Sequence, residues 1–313
     1  MAKGFLNTAK NLVRPFRDVI ASKRREAELR RQKPHVGKAR LLADLMSLPL
    51  QNGSPVLVHS SLKSIGFVEG GVDTVLDAMI EVVVVRRGGT LIIPTYSIDG
   101  MMAQTMRSRR SFDVRSTPSN LGKLPAAFSA RSDTVRSVHP THSFAAMGRD
   151  ATWFVEGQLA ASTNFGPDTP MMRVKERDGH ICGLGTSLGA VTFYHTLEDC
   201  EPDFPRQVYT EDSPFRITVT DASGQAHEKD YFAHNNDFSH RIDYNNSMAT
   251  LNYFERRLQR DAGMSWYEVG EASCWLLSAR RFYDCQLKMM REGITVYATP
   301  DEIAAANSVD AAP

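Results

Sequence analysis

Apolar and polar residues follow one another in a pattern that predicts buried strands separated by amphipathic helices. Two continuous apolar runs, Ser54–Leu62 and Thr90–Tyr96, predict strands that are buried on both faces. Between them, apolar residues at helical spacing predict a helix from Thr74 to about Val85, with Asp73 as its cap. This strand–helix–strand order predicts an α/β fold with helices on both faces of the sheet.

Later segments are predicted to be shorter elements around this core. The methionine- and arginine-rich stretch Ser97–Ser111 has no pattern and predicts a loop near the site, and residues 305–313 predict a disordered tail. Four further elements are expected: a strand–turn–strand passage at Val135–Gly148, a hairpin of Phe215–Thr220 with Lys229–Ala233, a long helix at Glu271–Arg291 and a closing strand at Thr295–Ala298.

Residues 1–36 are predicted to be a basic amphipathic helical arm in front of a domain at 37–304. Residues 1–40 carry a net charge of +9 in a chain whose total is +1, which leaves −8 for the remainder. Phe5, Leu12 and Phe16 recur at helical spacing among lysines and arginines. Peripheral membrane contact and packing on the chain's own body or in a homodimer both stay open. No nucleic-acid partner is expected, because no aromatic-interleaved motif accompanies the charge.

Composition indicates a globular protein of the cytoplasm. The chain is 42% hydrophobic and 23% charged, which is ordinary for a soluble domain. No run reaches the roughly 20 apolar residues of a membrane-spanning helix, and the N-terminus lacks the features of a secretion signal. The four cysteines form no C-x-x-C pair and no zinc-like group with histidine. We therefore expect reduced thiols.

The stretch Asp178–Asp203 carries the strongest candidate chemistry. A strand-like pair leads through a glycine-rich turn, Gly183–Gly189, into a predicted helix with His195 and Glu198. Residues three apart lie on one helix face, so the imidazole and the carboxylate point into the same space. Backbone N–H groups of the turn can stabilise a negative oxygen. The pair suits general base catalysis near neutral pH, although an ordinary exposed histidine fits the spacing equally well.

Two other polar clusters follow predicted strands. The tripeptide His59–Ser61 ends the first strand, where ligands bind in open α/β sheets, although an ordinary strand-end turn also fits it. In His139–Ser143 a proline stiffens a turn that carries two histidines, which are either functional or structural. No carboxylate or cysteine is placed to complete a metal site there. Dinucleotide-binding, Walker A and α/β-hydrolase motifs are not found, which argues against those activities.

Seven motifs, taken in order, resemble the aminoglycoside 3-N-acetyltransferase family. The resemblance covers roughly residues 41–298, and the ordered set is far more specific than any one motif. The motifs are VLVHSSLKSIGFVEGGVDTVLDAM, GGTLIIPTYS, FDVRSTPSNLGKLPAAF, VRSVHPTHSFAAMG, NFGPDTPMMRV, GLGTSLGAVTFYHTLED and VGEASCWLLSARRFYD.

The resemblance implies a three-layer αβα sandwich with a mostly parallel or mixed central sheet. It implies transfer of an acetyl or other acyl group from acyl-CoA to a primary amine of an amino sugar, without a metal. We expect direct transfer, because Cys182 and Cys200 lack an adjacent activating partner in sequence. His195, as the general base, Glu198 and the preceding Thr192 are the implied catalytic residues. The implied acetyl-CoA-binding residues are His59, Ser60, Ser61, Leu62, Gly66, Ser119, His139, His142 and Ser143. The residues expected to bind the acceptor are Tyr96, Asp199 and Glu201.

The chain also departs from the family pattern. Leu188, Gly189 and Ala190 stand where acidic residues are often found in the glycine-rich turn. The acceptor-side insertion, at about 201–250, does not clearly match the drug-modifying members. These departures leave the acceptor open.

Two alternatives to a drug-modifying enzyme remain. The acidic run from Glu198 to Asp203 suits a polycationic aminoglycoside. A biosynthetic enzyme acting on a nucleotide-linked amino sugar or a natural-product amine would instead need cations, which Arg206 or Arg241 could supply. A scaffold that binds a membrane or a partner through its basic arm is the third reading.

Overall fold

The protein, seen in a computed structural model, is described at residues 34–235, 241–243 and 247–310. The arm predicted for residues 1–36 therefore lies outside the described residues except for its last three. The described residues form these strands: β1 His35–Val36, β2 Pro55–Ser60, β3 Phe67–Val68, β4 Thr90–Pro94, β5 Ser111–Asp113, β6 Val135–Arg136, β7 Phe144–Gly148, β8 His180–Leu184, β9 Phe215–Thr220, β10 Ala226–Tyr231, β11 Ser265–Val269 and β12 Ala272–Ser278.

Helices connect and cover these strands. They are α1 Lys38–Ser47, α2 Gly71–Ile80, α3 Met102–Ser108, α4 Lys123–Ser129, α5 Ala151–Glu156, α6 Pro170–Glu176, α7 Thr196–Cys200, α8 Met248–Ala262, α9 Ala279–Arg291 and α10 Pro300–Asp310. Helix α2 continues into a wider π-helical segment, Glu81–Arg86. Gly70 occupies the N-cap position of α2, so Asp73, which is predicted to cap the helix, lies in the first turn instead. Within the described ranges, no helix has the length and apolar character needed to cross a bilayer.

Seven strands make one mixed sheet in the order β11–β12–β8–β2–β4–β7–β6. The central strands β8, β2 and β4 are parallel, and β12 and β7 run antiparallel beside them. The carboxyl ends of the parallel strands meet at one edge of the sheet, and β7 begins at that same edge. Loops distant in sequence are therefore gathered there, which is where ligands bind in α/β sheets.

Side chains at alternating positions of the sheet enter two separate apolar cores. In β2, Leu57 belongs to the first core, and Val56 and Val58 belong to the second, because successive strand residues point to opposite faces. The first core includes residues of α5, α6, α8 and α9, and the second includes residues of α1, α2 and α4. The predicted three-layer αβα sandwich with a mixed central sheet is thereby confirmed.

A smaller sheet, β10–β9–β5, packs against the first core. Ile217, Val219, Phe112 and Tyr231 bury their side chains there. The hairpin predicted for this region is present as β9 and β10, which pair antiparallel over six residues each. The chain leaving β10 then forms a single bridge between His234 and Tyr209, close to α7.

Two predictions of local structure are wrong. In both segments, buried apolar residues belong to a different element from the one that the pattern predicts. The stretch Ser97–Ser111 contains α3, and its Met102 and Met106 are buried in the first core, so the methionines reflect packing. The long helix predicted at Glu271–Arg291 is strand β12 followed by α9. A central strand is apolar on both faces, so the pattern cannot distinguish it from a buried helix.

The end of the chain also differs from expectation. The closing strand predicted at Thr295–Ala298 is a turn. Residues 305–310 continue α10, where a disordered tail is predicted from small polar residues. Ile303 anchors this helix in the first core at 3% exposure, which explains why a helix of low apolar content forms there.

Candidate active site

His195 and Glu198 form a buried hydrogen-bonded pair. His195 ends a short 3-10 turn, Thr192–His195, and Glu198 lies in the adjoining helix α7. The Nδ1 atom of His195 is 2.6 Å from Oε1 of Glu198. The two side chains are 6% and 0% exposed. The predicted spacing therefore does bring the imidazole and the carboxylate together, although the helix begins only after His195.

This contact sets the protonation pattern of the pair. An ionised carboxylate only accepts hydrogen bonds, so His195 donates from Nδ1, and Nε2 is left as the basic nitrogen. No hydrogen bond among the described residues engages that Nε2. Burial lowers the pKa of His195, and the neighbouring Glu198 charge opposes this effect. Burial raises the pKa of Glu198, but the charges of His195 and His234 outweigh it and bring the value to about 2.

His234 lies between two carboxylates. Its Nδ1 is 2.8 Å from Oε2 of Glu198, and its Nε2 is 2.7 Å from Oδ1 of Asp199. Burial lowers the pKa of this histidine, but the charges of Asp199 and Glu198 outweigh it and raise the value to about 10. Sequence reasoning missed His234, because it follows β10 outside every motif and far from α7 in the chain.

Asp199 is held in place by several donors. Its carboxylate accepts hydrogen bonds from the backbone N–H of Phe165 at 2.8 Å, from the Tyr209 hydroxyl at 2.7 Å and from His234. The side chain has no exposed surface. Asp199 also lines the cavity that contains Glu201, and the acceptor-binding role expected for it stays a prediction.

Glu201 lines a cavity. The cavity has a volume of about 580 Å³ and is lined by residues 198–202 and 204–209. The Tyr283 hydroxyl donates to Glu201 at 2.5 Å. Arg206 lines the same cavity, so groups of both signs face a ligand that would enter here. The acceptor-binding role expected for Glu201 stays a prediction.

Phe165 stands at the centre of the histidine cluster. Its ring is 5.3 Å from that of His195, nearly parallel at 23°, and 5.3 Å from that of His234. It is also 5.0 Å from the ring of His142. The side chain is only 1% exposed, so it holds three imidazoles in fixed positions. Sequence reasoning placed Phe165 in a motif but assigned it no role.

The turn His139–Ser143 lies against the carboxyl end of β4. The backbone N–H of Thr95 donates to the Ser143 carbonyl at 2.8 Å, and the Ser143 hydroxyl donates to the Thr95 carbonyl at 2.9 Å. His139 Nδ1 accepts from the backbone N–H of His142 at 3.0 Å, which makes His139 a brace of the turn. Burial lowers the pKa of His139 to about 3 and that of His142 well below its usual range. Neither is a cation at neutral pH.

Tyr96 and Thr192 connect this turn to the base. Their hydroxyl oxygens are 2.6 Å apart, and the ring of Tyr96 is 4.3 Å from that of His142. Burial raises the pKa of Tyr96, so the phenol keeps its proton. Tyr96 thus contacts both His142 and Thr192, and the roles expected for these three residues stay predictions.

The residues expected to bind acetyl-CoA follow β2 at the same edge of the sheet. Ser61 donates from its backbone to the Leu184 carbonyl at 2.9 Å, which fixes this turn beside the end of β8. Ser60, Ser61, Leu62 and Gly66 are half-buried. The Ser119 hydroxyl donates to the Tyr96 carbonyl at 3.1 Å. No described hydrogen bond joins these positions to His195, and their role in binding acetyl-CoA stays a prediction.

His59 presents a buried nitrogen without a partner among the described residues. It is 8% exposed, and its Nε2 has no hydrogen bond. Burial lowers its pKa to about 4, so the ring is neutral. A neutral imidazole in such a place is suited to bond an amide of a pantetheine chain. The observation agrees with the acetyl-CoA-binding role expected from the sequence, which stays a prediction.

Atoms of the kind that bind zinc also meet at the base. His195, Glu198 and His234 offer nitrogen and oxygen atoms within 4.8 Å of one another. The ring nitrogens that face Glu198 are already 2.6 and 2.8 Å from its oxygens. A metal would have to displace the protons between these atoms. The expectation of a metal-free site stays a prediction.

Comparisons with known proteins identify the family of this chain. The family described as aminoglycoside 3-N-acetyltransferase matches residues 57–291. Aminoglycoside N(3)-acetyltransferase VII of Streptomyces paromomycinus is 34% identical over 185 residues, which make up 55% of this chain and 63% of that protein. The match thus spans less than two thirds of that relative.

Solved structures share the fold. Aminoglycoside acetyltransferase AAC(3)-Xa has a TM-score of 0.71 at 24% identity, covering 86% of this chain and 98% of that one. AAC-IIIb, solved as a binary complex with CoASH, has a TM-score of 0.68 at 19% identity, covering 85% of this chain and 100% of that one. Because the family match extends over well more than half of its length, this chain belongs to the aminoglycoside 3-N-acetyltransferase family.

Proposed function

We propose that this protein is an acetyl-CoA-dependent N-acetyltransferase that acts on a primary amine of an aminoglycoside. One observation carries the proposal: a buried histidine, His195, is oriented by the ionised carboxylate of Glu198 at 2.6 Å, with Nε2 left as its basic nitrogen. Family membership supports the reaction class, and a relative of the same fold was solved with CoASH bound.

The reaction requires a base because an ammonium group cannot attack a thioester. Nε2 of His195 takes a proton from the acceptor ammonium, and the freed amine attacks the carbonyl carbon of the thioester. The C–S bond then breaks, the leaving thiolate takes the proton from the imidazolium, and the second proton on the attacking nitrogen passes to solvent as the neutral amide forms. Glu198 stabilises the imidazolium between these steps. General base catalysis of this kind contributes roughly 10²–10⁴ in rate.

The thioester oxygen becomes negative during attack and needs donors. Thr192 is the candidate among the residues beside His195, because it is half-buried and its hydroxyl contacts Tyr96 at 2.6 Å. If Tyr96 donates to Thr192, the Thr192 proton is available to the developing oxyanion. Preorganised donors of this type are worth about 2.7–4 kcal/mol in acyl transfer.

Direct transfer is favoured over an acyl-cysteine intermediate. Cys200 is the cysteine closest in sequence to the base, and burial raises its pKa to about 12. A thiol with so high a pKa is a poor nucleophile at neutral pH. Its Sγ contacts the Phe165 carbonyl at 3.8 Å, and no described base activates it. Isolation of an acyl-Cys200 adduct would contradict the direct route.

A second acceptor class has one observation in its favour. Arg206 lines the 580 Å³ cavity beside Glu201, and a cation there suits the phosphate of a nucleotide-linked amino sugar. Arg241, the other cation named for this role, is already paired in bidentate fashion with Asp243 at 2.6 and 2.7 Å. The aminoglycoside remains the first proposal.

The test is release of CoA thiol from acetyl-CoA with a panel of aminoglycosides and nucleotide-linked amino sugars. His195→Ala should lower kcat by roughly 10²–10⁴ and leave acetyl-CoA binding nearly unchanged. His180→Ala, a half-buried histidine that bonds Ser54 at the opposite end of β8, is the matched control and should retain kcat. Full activity of His195→Ala would refute the base assignment, and turnover with no member of the panel would refute the substrate class.

A further inference from the structure

His234 lies between two buried carboxylates beside the base. Glu198 and Asp199 are adjacent in the chain, and both side chains are fully buried at 0% exposure. Two carboxylates in one buried place repel each other, and without a cation one of them takes up a proton. His234, at 1% exposure, faces one carboxylate with each ring nitrogen, at 2.8 and 2.7 Å. The Nε2 contact is a hydrogen bond, and the Nδ1 contact is an ion pair without hydrogen-bond geometry. A negative oxygen close to each ring nitrogen stabilises the doubly protonated, positively charged ring.

Both carboxylates keep other donors when His234 is removed. Asp199 keeps the Phe165 N–H at 2.8 Å and the Tyr209 hydroxyl at 2.7 Å. Glu198 keeps His195 at 2.6 Å and a contact with the Tyr297 hydroxyl. A proton taken up by this pair of carboxylates would lower the negative charge beside His195, and that charge must stabilise the His195 imidazolium.

We propose that His234 is a positioning residue, a fixed imidazolium that keeps Glu198 ionised and aimed at His195. The inference rests on the proposed function, because it takes His195 as the base. It adds a third and a fourth member, His234 and Asp199, to the pair on which the reaction depends. Both act on the base through Glu198.

The neighbouring charges agree with this role. The charges of Asp199 and Glu198 raise the pKa of His234 to about 10 despite its burial. The histidines nearby are neutral, since burial lowers the pKa of each. Arg241 is paired with Asp243, so it adds little net charge. The titratable groups that face His234 or its two carboxylates are His142, His195, Glu198, Asp199, Tyr194, Tyr209 and Tyr297. Arg241 and Asp243 act on Tyr194, and Arg241 also acts on His142 and His195.

Three variants of the full chain separate charge from packing. His234→Gln removes the cation and leaves two carboxylates, so kcat at pH 7 should fall roughly tenfold to a hundredfold. The acidic limb of the pH profile should move up by about one unit, because loss of a buried positive charge raises the pKa of its neighbours. Adding Asp199→Asn removes the excess negative charge, so the double variant should regain at least about tenfold in kcat. The acidic limb of its pH profile should return to the wild-type position. Asp199→Asn alone should move the limb downward or leave it in place.

A purely structural histidine predicts a different result. In that case the second substitution removes another contact, and the double variant is slower than either single variant. That outcome, or an unmoved pH limb in His234→Gln, would overturn the proposal. His227→Gln is the matched control, since His227 pairs with Asp221 at 2.8 Å on the same small sheet and should retain kcat.

A measurement on the wild-type protein decides the question even where a variant fails to fold. ¹H–¹⁵N spectra of the imidazole groups should show one of the nine histidines with both ring nitrogens protonated at pH 8.5. No such ring at that pH would overturn the inference. Normal activity of His195→Ala would remove the proposed function itself, whereas an inactive His195→Ala with a normal His234→Gln would remove only this inference.

Discussion

The variant Phe165→Ala is expected to lower both the stability of the protein and its kcat, and comparison with a second core variant separates the two effects. Phe165 is 1% exposed and contacts the rings of His142, His195 and His234 at 5.0, 5.3 and 5.3 Å. Phe-to-Ala changes in cores cost about 3–5 kcal/mol. Ring pairs of this kind account for about 0.5–1.5 kcal/mol each, so much of the loss falls on the three imidazoles.

The expected change in melting temperature follows from the size of the chain. The entropy of unfolding is about 2.1 cal/mol/K per residue, which for 313 residues gives about 0.7 kcal/mol/K. Phe165→Ala should therefore lower Tm by about 5–8 °C. Total stability is about 5–15 kcal/mol for a native domain, so the variant should still fold at 25 °C. Calorimetry measures the change directly.

Turnover of the folded variant is the decisive measurement. Loss of the Phe165 ring frees His195 and His234 to rotate, and misplacement of a catalytic group by about 1 Å can cost a hundredfold. Phe154→Ala is the matched control, since Phe154 is also 1% exposed in the first core but contacts Trp153 and none of the three imidazoles. Phe154→Ala should lower Tm similarly and keep kcat. If both variants lose equal activity, Phe165 does not position the base.

Three further outcomes are expected. Because its pKa is raised, protonated His234 stabilises the folded protein fully below about pH 6.5, and this contribution is lost as pH rises through about 10. Denaturation midpoints should therefore fall more steeply over this range in the wild type than in His234→Gln. Parallel curves for the two proteins would contradict this. Dialysis against EDTA should leave kcat unchanged, because Glu198 is already engaged by two imidazoles; loss of activity that zinc restores would refute it. A chain that starts at Pro34 keeps the β1–β3 pairing and every site residue, so it should retain kcat; a large loss would assign the arm to catalysis.

The fold could be predicted from the sequence where the apolar pattern and its flanking residues favour a single type of element. The runs around Leu57 and Ile92 are short, rich in β-branched residues and bounded by turn residues, which favours strands, and both are central in the sheet. The run at Ala272–Ser278 had two meanings, since a buried strand and a buried helix are both apolar throughout. Its pairing with β8 across about ninety intervening residues is a long-range contact that local pattern does not encode.

The site was predictable only where its residues share a local element. His195 and Glu198 are three apart, so their spacing indicated the contact. His234 reaches the same carboxylate from a different sheet, and Phe165 enters from a loop before α6. Asp199 was assigned to the acceptor from the acidity of its segment, and only the structure gives its three donors. Charge in a sequence does not reveal whether a side chain faces solvent or a buried cation.

The position of β8 has a consequence for how the chain emerges from the ribosome. One side of β8 pairs with β2. The other side stays unpaired until β12, which begins at Ala272, has been synthesised. Until then Ile181 and Cys182 belong to a strand with one open side, and such strands recruit other chains. A product terminated before Ala272 would contain every histidine of the site and still be insoluble or bound to chaperones. The last forty residues thus protect a strand made long before them.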